Sequence, residues 1–143
     1  MTGPHATIAT TPQQRDDAFA VRIAVFVEEQ GIARSDELDD FDASATHCVS
    51  YVGGAPVGAG RMLLFEGYAK IGRMAVLRTH RGVGVGALVL GALEREAVAH
   101  GIRHIKLSAQ LHARGFYERC GYTAQGGVYD DVGIPHIDME KRA

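Results

Sequence analysis

The sequence predicts a single α/β domain over residues 1–143, built on a mixed, mostly antiparallel sheet of about six to seven strands flanked by about four helices. Three observations carry this. Residues 46–77 hold three β-prone runs separated by the turn signals Gly53-Gly54 and Glu66-Gly67, the pattern of an antiparallel meander. Residues 84–100 then switch from alternation to helical spacing. An apolar run at 102–109 completes a strand–helix–strand unit, which calls for a parallel neighbour in the same sheet.

Each element has its own signal. A β-prone segment at 5–10 precedes a helix start in which Thr11 is the N-cap, Pro12 the first helical residue and Gln14 the third member of a capping box. Phe19, Ile23 and Phe26 keep helical spacing, so this helix runs to about Val27 or slightly beyond. Residues 35–44 are acidic and polar and read as a loop. Strands at 46–52, 56–65 and 68–77 form the meander. In the helix at 84–100, Val85, Leu88 and Ala92, with Leu90, Leu93 and Ala97, face the core, and Gly101 takes the C′ position. A strand at 102–109 leads to a short helix at 110–119 that Gly121 stops. Two last strands, about 122–128 and 134–141, are joined through residues 130–133.

Composition excludes several classes. Hydrophobic residues at 46% and charged residues at 22% describe an ordered globular chain. A net charge of −2 disfavours general nucleic-acid binding, and no apolar run reaches the length of a membrane span. Residues 1–11 lack the basic start and apolar stretch of a secretory leader. Cys48 and Cys120 form neither a disulfide framework nor a CxxC pair, so reduced thiols and a cytoplasmic location are expected. The seven histidines show no metal-ligand spacing. The acids Asp36, Glu37, Asp39, Asp40 and Asp42 lack the glycine and terminal glutamate of a calcium loop; they read as a solvated loop, or as a weak field for a cationic amine.

The most informative segment is Arg81-Gly82-Val83-Gly84-Val85-Gly86-Ala87, between a strand and a helix. Glycines there let backbone approach an anion closely, and the unpaired N–H groups of a first helical turn point at it. Arg78, His80 and Arg81 add charge that is positive or can become so. A diphosphate is the natural guest, and the loop alone does not say whose. A P-loop is excluded because Ala87-Leu88 stands where Lys-Ser/Thr is required. Gly82, Gly84 and Ala87 nominally fit a dinucleotide fingerprint, but the strand before them closes a meander and the next strand ends at Ser108-Ala109 without a ribose-binding acid. A glycine turn that merely packs a helix is the plainer alternative.

Two motifs resolve the choice by resemblance. Arg81, Gly84 and Gly86 match the Arg/Gln-x-x-Gly-x-Gly/Ala signature of the GNAT superfamily of N-acetyltransferases. Ala113-Arg-Gly-Phe-Tyr-Glu-Arg-Cys-Gly-Tyr122 matches its second hallmark, one helix and one strand later. From about residue 15 to 140 the chain resembles the small bacterial ElaA- and YjcF-like branch, through Val25-Phe-Val-Glu-Glu-Gln30, the Asp39/Asp42 region, His47, Lys70-Ile-Gly-Arg-Met-Ala-Val76 and Gly133-Ile-Pro-His-Ile137.

The resemblance implies two splayed central parallel strands and acetyl-CoA as cosubstrate, with no metal. Met74, Ala75 and Val76 would pair with the pantetheine arm, one of their N–H groups stabilising the oxyanion of the tetrahedral intermediate. Backbone amides of Arg81, Gly82, Val83, Gly84, Val85, Gly86 and Ala87 would hold the diphosphate. Gln110 stands where many relatives carry an asparagine on the pantetheine arm. Tyr117 would protonate the departing thiolate. The base that deprotonates the amine would be Glu28 or Glu29, its pKa raised by burial, or His136; His47 reads as structural. Direct transfer in a ternary complex follows from the family, and nothing beside Cys120 resembles an activating pair. The rival from another class is a binding module, an acyl-CoA sensor that kept the loop without turnover. The acceptor amine is open, as is the oligomeric state, a homodimer included.

Overall fold

The computed structural model describes residues 3–143; Met1 and Thr2, which open the stretch read as leaderless, lie outside it. After β1 (His5–Ile8), the Thr11 hydroxyl caps α1 (Pro12–Arg22) by accepting from the Gln14 N–H at 3.2 Å. The reciprocal arm falls one residue early, with Gln14 Oε1 accepting from the Thr10 N–H at 2.7 Å rather than from Thr11. The helix then widens: Ile23–Glu29 winds as a π-helix, an irregularity that apolar spacing does not encode.

The stretch expected to be a solvated loop folds instead into α2 (Arg34–Glu37) and a 3₁₀ turn, Asp40–Ala43, capped by Asp39. Three arginines order it. Fully buried Arg22 reaches Glu37 at 2.7 Å and Asp42 at 2.8 Å. Arg61 reaches Asp39 at 2.6 Å and Asp42 at 3.0 Å, and Arg73 reaches Glu37 at 3.3 Å and Asp39 at 3.2 Å. The acids of this stretch therefore neutralise internal cations more than they project a field into solvent. Burial pushes the Asp42 carboxyl up, but the Arg22 hydrogen bond and charge outweigh it and hold the pKa at about 2.

The meander is β2 (Thr46–Val52), β3 (Ala55–Phe65) and β4 (Tyr68–Val76). It leads through a 3₁₀ turn, Arg78–His80, to α3 (Val85–Ala99) and β5 (His104–Gln110). The short helix begins later than expected: β5 extends through Gln110, a 3₁₀ turn follows, and α4 is Arg114–Arg119. The last hairpin, β6 (Thr123–Asp131) and β7 (Ile134–Arg142), turns tightly on Val132 and Gly133. Among the described residues seven strands form one sheet in the order β1-β2-β3-β4-β5-β7-β6, in which only β4 and β5 run parallel. The expected mixed, mostly antiparallel sheet with four α-helices is the fold observed.

α3 covers one face, sinking Val85, Val89, Leu90, Leu93 and Ala97 into the core with Ile71, Ile105 and Met139. Each such leucine contributes about 2 kcal/mol of burial. Leu88, expected inward, is 37% exposed, and Val89 takes the core position. Gly101 ends the helix as expected, with Ile102 N–H donating to Ala97 O at 2.9 Å. α1 and the π-helix cover the opposite face only over β2 to β4, through Ala18, Val21, Val25 and Phe26. The β5–β7–β6 half of that face is left open. No helix among the described residues is long and apolar enough to cross a membrane.

Candidate active site

β4 and β5 pair only at Ala69↔Ile105, Lys70↔Lys106 and Ile71↔Leu107. Beyond that point β4 continues bonded to β3, and β5 continues bonded to β7, so the facing edges part. Arg73 lies at a register shift with φ 52°, an uncommon conformation for a residue with a side chain. Its guanidinium is tethered to the Glu37 carbonyl at 3.1 Å and to Asp39, which holds the bend. Met74, Ala75 and Val76 thus present a strand edge to a cavity of about 1210 Å³. An acyl-CoA arm could pair there as an added strand.

The glycine loop opens onto the same cavity. Gly84 caps α3 at φ 90°, a conformation costly for other residues, and a Cβ built on it meets nothing within 4 Å. Leu88 N–H is the donor to Gly84 O at 3.1 Å, so the N–H groups of Val85, Gly86 and Ala87 have no partner within the helix. Arg81, Gly82, Gly84, Val85 and Gly86 line the cavity; Val83 and Ala87 do not. A Cβ on Gly86 would stand 3.1 Å from Phe116 Cζ, so the helix start is pressed against the ring before Tyr117. The residues present therefore fit a diphosphate-bearing acyl donor: open amides at one end, a free strand edge leading from them.

The base candidates separate. Glu28 is exposed and outside the cavity. Glu29 lines it but is clamped by Arg81, two N–H donors reaching its two oxygens at 2.7 Å each, with Arg78 at 3.5 Å. That hydrogen bonding holds the Glu29 carboxyl below its ordinary range, opposite to the shift expected from the sequence, so it is a weak base. Arg81 Nε also donates to Val76 O at 2.9 Å, tying the π-helix end to the end of β4. His136 is buried, and Nδ1 lies 2.8 Å from Ile134 O. A carbonyl only accepts, so Nδ1 carries a proton, and in the neutral ring the lone pair is on Nε2. The ring stacks on Tyr129 at 6.1 Å and lines the cavity.

Tyr117 lies 7% exposed between Phe116 and Tyr122, with ring centroids at 5.0 and 5.9 Å. Burial pushes its phenol well above the ordinary tyrosine range. It lines the cavity, and its hydroxyl has no hydrogen-bond partner among the described residues. Gln110 does not stand free: it exchanges hydrogen bonds with Gln30 at 2.8 and 3.2 Å and receives His112 Nε2 at 2.6 Å. This amide pair bridges the end of the π-helix and the end of β5, beside the parted strands. Gln30, the last residue of the Val25–Gln30 likeness, is given no role by the sequence, because a glutamine after a helix has no chemical signature of its own. His47 is structural, its Nε2 held to Asp42 O at 2.8 Å. Both cysteines are free, and burial pushes the Cys48 thiol up to about 12.

A sheet parted between two parallel strands, beside a glycine-rich helix start, defines an acyltransferase fold. The family model described as an acetyltransferase (GNAT) domain matches residues 12–143. The uncharacterized N-acetyltransferase YjcF of Bacillus subtilis is 42% identical over 137 residues, covering 95% of this chain and 98% of the relative. Among solved structures, an acyl-CoA N-acyltransferase from Pseudomonas aeruginosa superposes with TM-score 0.83 at 28% identity over 97% of this chain and 99% of the other. Escherichia coli ElaA superposes with TM-score 0.82 at 26% identity over 99% and 100%. The chain belongs to the GNAT acetyltransferase family, in its ElaA- and YjcF-like branch.

Proposed function

We propose that the protein is an acetyl-CoA-dependent N-acetyltransferase that passes the acetyl group directly to a primary amine in a ternary complex. The observation that carries this is the parting of β4 from β5 after Ile71 and Leu107, with the glycine loop at one end of the gap and the Tyr117 hydroxyl on its wall. In this reading pantetheine pairs with Met74–Val76, a β4 N–H steadies the oxyanion, and the amides of the cavity-lining loop residues Arg81, Gly82, Gly84, Val85 and Gly86 hold the diphosphate. Burial keeps Tyr117 protonated, as a donor to the departing thiolate must be. His136 Nε2 takes the amine proton; Glu29 instead holds Arg81, and Gln110 positions the cofactor side through Gln30. Two free thiols suit the reducing cytoplasm.

The test is steady-state release of CoA thiol from acetyl-CoA across a panel of primary amines. Amine-dependent release supports an enzyme. Tight CoA binding with no release on any amine overturns it in favour of a binding module. The cradle is tested separately by Gly84→Asp against Gly84→Ala. Both carry the backbone cost of φ 90°, and only the first adds a negative charge in open space. CoA affinity by calorimetry is expected to fall about tenfold or more further in Gly84→Asp. Equal affinities in the two variants would refute the diphosphate site.

A further inference from the structure

We infer that the acceptor is a primary amine joined by a short chain to an anionic group, carboxylate or phosphate, seated on Lys70 and Lys106. This deepens the acetyl-transfer reading and rests on it. The two lysines are register partners on the parallel strands β4 and β5. Their flanking residues Ala69, Ile71, Ile105 and Leu107 are buried toward α3, so both lysines project from the opposite face, where both are exposed. Like charges side by side on neighbouring strands are unfavourable without a counter-ion.

The sheet supplies none in direct contact. Among the described residues no carboxylate lies within 4.0 Å of either ammonium. Glu140 is opposite Lys106 in register, but its carboxylate is taken by His104 at 2.9 Å. Asp138, one row nearer the reacting centre, is held by the Tyr129 hydroxyl at 2.6 Å. Arg61 and Arg73 are committed to Asp39, Asp42 and Glu37. Lys106 Nζ is steadied 4.5 Å above the Tyr68 ring, which leaves its charge available.

The geometry sets the length. Lys70 lines the cavity that holds His136 and Tyr117. His136 pairs in register with Gln110, four residues along β5 from Lys106, about 13 Å of strand. Lys70, which lines the cavity, can reach along part of this span and shorten it to roughly 8 Å between amine and anion, while Lys106 stands outside the lining, over Tyr68. Leu63, opposite Lys70 in register, and half-exposed Phe41 give the connecting chain an apolar wall.

The test compares 6-aminohexanoate, 6-aminohexyl phosphate, hexylamine and 1,6-diaminohexane as acceptors. One or both anionic amines are expected to give a KM about tenfold below hexylamine, and which of them wins distinguishes carboxylate from phosphate. Lys70→Met and Lys106→Met should erase that advantage with kcat and the KM for acetyl-CoA unchanged. Lys70→Glu should move the preference to 1,6-diaminohexane. Hexylamine used as well as both anionic amines, or Lys70→Met weakening hexylamine equally, overturns the inference and leaves acetyl transfer standing. No CoA release with any amine overturns both.

Discussion

Replacing Arg22 by methionine is expected to destabilise the protein by about 3–5 kcal/mol, the range for breaking a buried ion pair from one side. Arg22 is fully buried; its Nε donates to Glu37 at 2.7 Å, Nη1 to Asp42 at 2.8 Å and Nη2 to the Glu37 carbonyl at 3.0 Å. Methionine fills comparable space but leaves two carboxylates facing apolar helix and sheet, with only Arg61 and Arg73 to share. Urea denaturation measures the loss. Arg81→Met offers the contrast: its pair with Glu29 is partly exposed, so the same loss of charge should cost less than about 1 kcal/mol. Equal costs at the two sites would mean that the buried cluster is not what orders residues 34–43.

The same cluster fixes the acid limb of stability. Asp42 has a folded pKa of about 2 against an ordinary value of 3.8, so the folded state binds its proton less readily than the unfolded chain. The sign follows. Its contribution, about 2 kcal/mol, is present above about pH 4 and lost as pH falls toward 2. Burial pushes the Glu37 carboxyl the other way, so Glu37 works against that limb and does not add to it. Thermal melts from pH 6 to pH 2 should show the decline, shallower in Arg22→Met. A melting temperature flat over that interval would contradict the depressed Asp42 pKa.

How far the sequence could be read depended on the range of the forces involved. The meander, the helix starts and the glycine loop are signalled by residues within a few positions of one another, and the elements form where those signals place them to within a few residues. The π-helix at Ile23–Glu29 is invisible to apolar spacing, and the ties at its two ends, Arg22 to Glu37 and Arg81 to Glu29, join residues far apart in the chain. Residues 35–44 looked solvated for the same reason: their partners Arg22, Arg61 and Arg73 lie on other elements, and only the fold brings three cations to them. Glu29 resembled a buried base until Arg81, 52 positions later, was seen to hold it. Gln30 and Lys70 lie in segments that carry the family likeness, but neither has a chemical signature of its own. Their meaning comes from strand register and from the open half of one sheet face.

Tyr117→Phe is expected to lower kcat by roughly 10²-fold while leaving the KM for acetyl-CoA and the melting temperature nearly unchanged. The hydroxyl has no hydrogen-bond partner among the described residues, so its removal breaks no bond that holds the fold, and the ring keeps its contacts with Phe116 and Tyr122. The ring is buried while the hydroxyl, on the cavity wall, keeps its access to solvent and stays unbonded. Such a group is justified when its partner arrives with the substrate. A thiolate expelled into the same poorly solvated space gains basicity by the burial that raises the phenol, so proton transfer between them stays close to balanced although neither keeps its solution pKa. With the phenol raised well above 10, the kcat profile should have no falling limb that belongs to Tyr117 up to about pH 10. In Tyr117→Phe the chemical step becomes limiting, so single-turnover acetyl transfer should slow by the same factor as kcat. A variant that turned over at the parent rate would show that water or another residue protonates the thiol, and that the Tyr117 ring serves only to press Gly86 and the start of α3 against the parted strands.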